Sequence, residues 1–140
     1  MKRWAFLLVP MVLTLASMTE ARVEVKKFTV DIAVYGGSAG GVIAAVAAAR
    51  EGKSVLLVVE GKHVGGMVSG GLGATDVGNS QAIGGYSREF FDRVRDYYVN
   101  KYGKDSQQVK DCNNGFRFEP HVAELVFKDM LREARVGVVY

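Results

Sequence analysis

Two short apolar runs flank an alanine-rich stretch in the first half of the chain. The runs occupy residues 31–35 and 54–59, and short apolar runs of this length are typical of buried strands. Residues 42–50 between them are almost all small and apolar, which predicts a helix that can lie close to a sheet. Strand, helix and strand in this order predict a βαβ unit with parallel strands.

The second half of the chain predicts a long loop, two amphipathic helices and a third strand. Residues 61–85 contain nine glycines with little periodicity, and we expect them to form a loop over a ligand. Residues 86–99 carry apolar side chains at helical spacing, whereas 101–114 are polar and predict a surface excursion. Pro120 suits the first turn of a helix, and 136–140 begin a strand. We expect the strand order 3-2-1, with residues 31–35 at an open edge.

A glycine-rich turn directly follows the first strand. Gly36 permits a tight turn, and Gly41 lets the helix approach the strand closely because it has no Cβ. The helix N-terminus presents free N–H groups and a positive dipole end, which suits a pyrophosphate. Glu60, at the end of the second strand, can accept hydrogen bonds from ribose hydroxyls. The cofactor-binding candidates in this turn are Gly36, Gly37, Ser38, Ala39, Gly40 and Gly41.

Ser38 stands where the dinucleotide-binding pattern G-x-G-x-x-G has its middle glycine. A Cβ there narrows the approach to the pyrophosphate, although the hydroxyl can donate to a phosphate oxygen. The alternative is a glycine-rich turn in some other α/β protein. A phosphate-binding P-loop is excluded because no Lys-Ser/Thr pair follows the last glycine.

The segment after Glu60 distinguishes between dinucleotides. Residues 61–69 resemble the x-x-G-G-x-x-Ser/Thr segment of flavoproteins of the glutathione-reductase type, which NAD-binding units generally lack. The resemblance implies that the backbone of the glycine pair passes close to FAD. The alternative is an ordinary glycine-rich connection. The further cofactor-binding candidates are Glu60, His63, Gly65, Gly66, Met67 and Ser69.

Four segments make the chain similar to the secreted FAD-dependent oxidoreductases of the heterodisulfide-reductase-A-like group. They are residues 35–45, 65–76, 83–90 and 118–124. The resemblance implies FAD binding, redox chemistry and an α/β fold, a Rossmann-like doubly wound parallel sheet. Relatives are several-fold longer, so we expect these residues to be only the N-terminal part of such a domain. The resemblance supplies no substrate.

The first residues have the features of an export signal. Lys2 and Arg3 precede an apolar stretch at 4–16, and 19–21 offer a small-residue cleavage site. We therefore expect a signal peptide at 1–21, an FAD-binding domain at 22–140 and a secreted or periplasmic protein. A buried N-terminal helix or a membrane anchor is the alternative. After cleavage we expect no stable membrane anchor, since no cysteine near the site supports a lipoprotein.

Charge and cysteine content exclude several classes of function. Without Lys2, Arg3 and Glu20 the chain has 16 basic and 14 acidic residues, and no basic stripe interleaves with aromatics. Nucleic-acid binding is therefore not expected. Cys112 is the single cysteine, so an internal disulfide and an iron–sulfur cluster are excluded, and we predict no metal site. An ordinary free cysteine is favoured over a redox thiol.

The sequence does not identify a catalytic acid or base. His63 has three interpretations: covalent flavin attachment, non-covalent contact or an exposed loop residue. Arg88 either binds an acidic substrate, balances reduced flavin, or lies with Glu89 on a solvated helix face. The leading hypothesis is an exported FAD-dependent oxidoreductase that moves hydride from a small-molecule substrate to flavin and then to an electron acceptor. The alternatives are a non-catalytic nucleotide-binding remnant and an NAD(P)-dependent enzyme.

Overall fold

The computed structural model describes residues 25–140, and the predicted signal peptide lies outside them. Three strands and four helices form this part of the chain: β1 (Ile32–Tyr35), α1 (Ala39–Arg50), β2 (Val55–Val58), α2 (Gly85–Tyr102), α3 (Gln107–Asp111), α4 (Pro120–Glu133) and β3 (Gly137–Val139). Short 3-10 turns occur at Ser80–Ala82 and Asn113–Gly115. Within 25–140, no helix is long and apolar enough to span a bilayer.

The strands form a parallel sheet in the order β1-β2-β3. Leu57 in the central strand pairs in register with Val34 of β1 and Val138 of β3. The predicted strand order is thus confirmed, and among residues 25–140 no strand pairs with the outer side of β1. Parallel strands place their carboxyl ends at one edge of the sheet, so the segments that follow β1 and β2 meet there.

Helix α1 packs on β1 and β2, and α4 packs beside α1 in the same hydrophobic core. Val42 and Val46 of α1 and Met130 of α4 are completely buried, together with Leu57 of the central strand. The alanines of α1 keep this helix close to the strands because their side chains are short. The apolar stripe predicted for α4 is confirmed, with Pro120 in its first turn.

Helix α2 is joined to α1 and α4 by aromatic packing and by ion pairs. The rings of Phe90 and Phe127 stack with centroids 4.5 Å apart. Glu89 accepts hydrogen bonds from Arg50 of α1 at 2.6 Å and from Arg93 at 2.9 Å. The prediction that Glu89 lies on a solvated helix face is therefore wrong, because this carboxylate ties two helices together.

Arg88 is partly buried, and its side chain is held within the fold. Its guanidinium donates to the backbone carbonyl oxygens of Ser80 and Ile83, so it fastens the end of the long loop to the first turn of α2. Both functional interpretations of Arg88 lose their basis, since the side chain is engaged in closing the loop.

The segment at 101–114 is more ordered than its polar composition predicts. It contains α3, and Cys112 is buried with its thiol directed at the carbonyl oxygen of Val109.

Tyr98 of α2 is bonded to Glu119, the residue before α4. Its hydroxyl donates to the Glu119 carboxylate at 2.6 Å and accepts from the Glu119 N–H at 3.0 Å. Burial and the neighbouring carboxylate raise the pKa of Tyr98 to about 12, so the phenol stays protonated and keeps donating.

Candidate functional site

The glycine turn requires glycine at two positions for different physical reasons. Gly36 has a φ of +108°, a conformation that side-chain-bearing residues rarely adopt, and its N–H donates to the Val58 carbonyl at 2.8 Å. A Cβ on Gly41 would lie 2.1 Å from the Gly36 carbonyl oxygen. The turn and the first helical turn therefore touch, as the sequence predicts.

Helix α1 begins earlier than predicted, at Ala39 and not at residue 42. Ser38 is its N-cap, and the Ser38 hydroxyl oxygen accepts from the Gly41 N–H at 3.2 Å. Capping explains why the helix can start before two glycines that intrinsically disfavour helix. Within the described part of the chain, the N–H groups of Ala39 and Gly40 have no acceptor. They form the positive end of the α1 dipole.

The glycine pair lies directly against the glycine turn. The Gly65 N–H donates to the Gly37 carbonyl at 2.7 Å, and Gly65 forms a parallel bridge with Ser38. Gly66 has a φ of +57°, and a Cβ on it would lie 3.2 Å from the Ser38 Cα. Two segments that are far apart in sequence thus form one continuous backbone surface.

Gly65 also packs against helix α4. A Cβ on Gly65 would lie 2.7 Å from the Phe127 ring, so α4 leaves no room for a side chain here. The Ser69 hydroxyl donates to the Val64 carbonyl and holds the loop in a tight turn, whereas the Met67 side chain is exposed. Ser69 therefore shapes the loop, and Met67 is free to contact a ligand.

Glu60 and Tyr35 stand together at the carboxyl edge of the sheet. Glu60 is exposed directly beyond β2, as the sequence predicts for a ribose-binding acid. A hydrogen bond with the Glu60 carboxylate raises the pKa of Tyr35. The acid and the glycine turn therefore lie at adjacent strand ends, which is the arrangement that a dinucleotide requires.

His63 is exposed, and its ring contacts the carboxylate of Glu124. Its Nδ1 lies 3.0 Å from a Glu124 carboxylate oxygen, and Lys128 reaches the other oxygen at 2.6 Å. Burial alone would raise the pKa of Glu124, but hydrogen bonds from Lys128 and His63 outweigh it and lower that pKa. Glu124 and Lys128 cannot be recognised from the sequence as partners of His63, since only the fold brings α4 beside the loop. The His63 backbone also borders Gly37.

The chain is similar to one protein family across most of its length. Residues 31–140 match the family model described as FAD dependent oxidoreductase. The chain belongs to the FAD-dependent oxidoreductase family. Members bind FAD, so the predicted cofactor is confirmed for this flavoprotein, and the NAD(P) alternative falls. Among curated proteins, the comparison gave no match.

The residues of this FAD-dependent oxidoreductase fit a dinucleotide by three observations. The turn and the pair lie close to backbone, and a Cβ at Gly41 or Gly66 would press on Gly36 or Ser38. Unpaired N–H groups of Ala39 and Gly40 are aimed outward from the helix start. An exposed carboxylate, Glu60, stands at the neighbouring strand end. Together they offer a close approach, positive charge and a hydroxyl acceptor.

Proposed function

We propose that this protein is an exported flavoprotein oxidoreductase whose glycine turn and glycine pair jointly hold the FAD pyrophosphate. The observation that carries the proposal is the contact between the two segments, the 2.7 Å hydrogen bond from Gly65 N–H to the Gly37 carbonyl. A merely glycine-rich connection has no reason to lie on the first turn of α1. A backbone surface beside free helical N–H groups is suited to phosphate.

Each candidate residue has a distinct role in this proposal. The N–H groups of Ala39 and Gly40 donate to the pyrophosphate, and Gly36, Gly37 and Gly41 shape the turn that brings them close. Glu60 accepts from ribose hydroxyls, while Ser38 serves mainly as the helix cap. Met67 and His63 border the ligand. When bound there, FAD would supply two-electron chemistry, for which we propose a small-molecule hydride donor and a separate electron acceptor.

The proposal extends to the wider fold. Tyr35 and Val58 pair in register and alternate with the core-facing Val34 and Leu57, so they lie on the sheet face opposite α1. Tyr35 is 73% exposed in the described part of the chain. We propose a second layer on this face, as in a doubly wound Rossmann-like domain, with residues 22–140 contributing to the FAD-binding domain. The heterodisulfide-reductase-A-like grouping is part of the same proposal.

Flavin content of the full-length protein tests the proposed function. We expect the purified protein to carry FAD, and Gly66→Ala to lower its FAD affinity by at least about tenfold because a Cβ would press on Ser38. Gly78→Ala is the matched control, since a Cβ there meets nothing within 4 Å. Equal flavin loss in both variants, or none in either, would count against the proposed site.

Two further measurements separate the finer parts of the proposal. N-terminal sequencing of the mature protein should begin near residue 22 if the chain is exported through its signal peptide. Anaerobic reduction of bound FAD by candidate donors reports turnover. Stable FAD binding without reduction by any donor would favour the non-catalytic alternative over the oxidoreductase.

A further inference from the structure

Helix α4 contacts the segment that leads into the glycine pair at two positions, one helical turn apart. A carboxylate oxygen of Glu124 lies 3.0 Å from His63 Nδ1. A Cβ on Gly65 would lie 2.7 Å from the ring of Phe127. The first contact is polar and the second is apolar. Only the first contains groups whose charge changes with pH, so only the first can respond to the pH of the solution.

Residues 63–65 connect α4 directly to the glycine turn. A Cβ on Gly37 would lie 3.4 Å from the His63 carbonyl oxygen, so these two backbones are neighbours. Val64 is completely buried, and the Gly65 N–H donates to the Gly37 carbonyl at 2.7 Å. A change in what holds the His63 side chain therefore acts two residues away, on the hydrogen bond that joins the glycine pair to the glycine turn.

Glu124 is a charged and shielded partner for His63. Its side chain is 16% exposed, whereas that of His63 is 77% exposed. Burial raises the pKa of Glu124, but hydrogen bonds from Lys128 and His63 lower it overall, so the carboxylate is ionised near neutral pH. Histidine is the side chain that ordinarily gains a proton in the range of about pH 8 to 5. Protonation turns a histidine–carboxylate contact into a charge-assisted hydrogen bond, which is stronger than a neutral one.

Other charged or ionisable groups also surround His63, and none of them is a histidine. They are Lys128 and the nearby Tyr140 on the side of α4, and Glu60 and Lys62 on the segment of His63 itself. Lys128 bonds to the second oxygen of the Glu124 carboxylate at 2.6 Å, so Glu124 is shared between the two cations when His63 is protonated.

The chain has one further histidine, which provides a matched control. His121 lies in the first turn of α4, three residues before Glu124. Its ring meets the Tyr97 ring of α2 edge to face, with centroids 6.4 Å apart. A pH response near neutrality can therefore be assigned by replacing the two histidines in turn.

We propose that Glu124 and His63 are positioning residues that hold the glycine pair against the glycine turn, and that protonation of His63 strengthens this hold. The inference rests on the proposed function for what the glycine pair binds. Because the strengthened contact contains the protonated imidazole, cofactor affinity rises as the pH falls from about 8 to 5.5. A partly exposed ion pair contributes modestly, so the rise is about two- to fivefold.

Amide hydrogen exchange in the full-length protein, with and without FAD, measures this contact independently of any reaction. Exchange of residues 63–66, corrected for its intrinsic pH dependence, reports how often the Gly65 N–H leaves the Gly37 carbonyl. We expect this segment to be about two- to fivefold better protected at about pH 5.5 than at about pH 8. His63→Gln and Glu124→Gln should abolish the difference, since each replaces an ionisable group by a neutral amide. His121→Gln should retain it.

The FAD affinity of the same proteins, measured by titration of the flavin-free forms, completes the test. We expect the parent protein and His121→Gln to bind FAD about two- to fivefold more tightly at about pH 5.5 than at about pH 8, and the other two variants to show no such change. Glu124→Gln is decisive because it leaves a protonated His63 able to attract the pyrophosphate directly. A pH response that survives in Glu124→Gln therefore overturns the inference.

Two further results would also overturn it. These are equal protection of residues 63–66 at both pH values in the parent protein, and loss of the pH response in His121→Gln. A parent protein that binds no FAD at either pH would instead overturn the proposed function. In that case pH-dependent protection that requires His63 and Glu124 would still support their positioning role.

Discussion

Two regions of this protein are held together in different ways. One is the carboxyl edge of the sheet, where the glycine turn (36–41) and the glycine pair (65–66) meet, and the other is the helical layer formed by α1, α2 and α4. At the sheet edge, backbone meets backbone: Gly65 bonds to Gly37, and Gly41 touches Gly36. In the helical layer, long side chains make the connections, as in the stacked rings of Phe90 and Phe127. In the first arrangement the backbone contacts are so close that even one added methyl group has no room. The second can adjust, because side chains move more readily than backbone.

This difference predicts which substitutions each region tolerates. At the carboxyl edge of the sheet, a methyl group added at Gly41 should lower the stability of the fold strongly. The same group added one residue away, at Gly40, should have no harmful effect. A lost ion pair in the helical layer should have a moderate effect that depends on pH. A lost cap should have the smallest effect, since neighbouring contacts still hold α1 in place.

Gly41→Ala should have the largest effect, about 3 kcal/mol or more of lost stability, because its Cβ would lie 2.1 Å from a backbone oxygen. The neighbouring Gly40→Ala is the control, since its Cβ meets only the Ser38 hydroxyl oxygen at 3.9 Å. Alanine favours helix over glycine, so Gly40→Ala should be neutral or stabilising. Denaturant unfolding of the full-length variants measures both, and similar losses in the two would show that the edge is not rigid.

Glu89→Gln should cost about 1–2 kcal/mol at neutral pH, discounted for partial exposure of its ion pairs. The hydrogen bond from Arg50 is the main reason that the pKa of Glu89 falls from 4.5 to about 2. A depressed carboxylate pKa contributes stability above its unfolded value, and that contribution declines as the pH falls from about 4.5 towards 2.

The same variant should therefore change the pH profile in a defined direction. Stability of the parent protein, followed by chemical unfolding, should fall more steeply between pH 4.5 and 2 than that of Glu89→Gln. Glu51→Gln is the control, because Glu51 is an exposed acid just past α1. We expect this variant to have the same pH profile as the parent protein. Parallel profiles for the parent and Glu89→Gln would show that the link between α1 and α2 is not electrostatic.

Ser38→Ala should have the smallest effect, about 1 kcal/mol, because it removes the cap on the Gly41 N–H. Ser38→Gly should cost only a few tenths of a kcal/mol, since glycine is itself an adequate cap. The glycine variant also removes the Cβ that narrows the phosphate approach, so we expect its FAD affinity to equal or exceed that of the parent. Weaker FAD binding in Ser38→Gly would mean that the hydroxyl contacts the ligand.

The backbone-built region could be predicted from the sequence, and the side-chain-built region only in outline. Glycines at positions 36, 41, 65 and 66 follow strands closely and indicate backbone that turns tightly or lies against other backbone. Motif order therefore predicts the turn and the pair, and apolar spacing predicts the strands and α4. Helix α1 starts earlier than its apolar pattern predicts, because capping by Ser38 is a local effect that outweighs the low helix propensity of two glycines.

The partners of charged side chains were beyond the sequence for a physical reason. Arg88 and Glu89 lie side by side on α2 and look like a solvated face, yet one binds the loop and the other binds α1. Which partner each finds depends on how helices pack, and that is a property of the whole core. The burial of Cys112 and the pairing of His63 with Glu124 belong to the same class.

The bridge between Ser38 and Gly65 adds one more rung beyond the ends of β1 and β2. Both partners of that rung belong to segments that are proposed to hold the cofactor. A ligand bound there would contact the segments that follow β1 and β2. It would stabilise the folded chain by mass action, by about 2.7 kcal/mol when its concentration is a hundred times its dissociation constant. Cofactor supply would then govern how long the protein survives proteolysis, before any substrate is encountered.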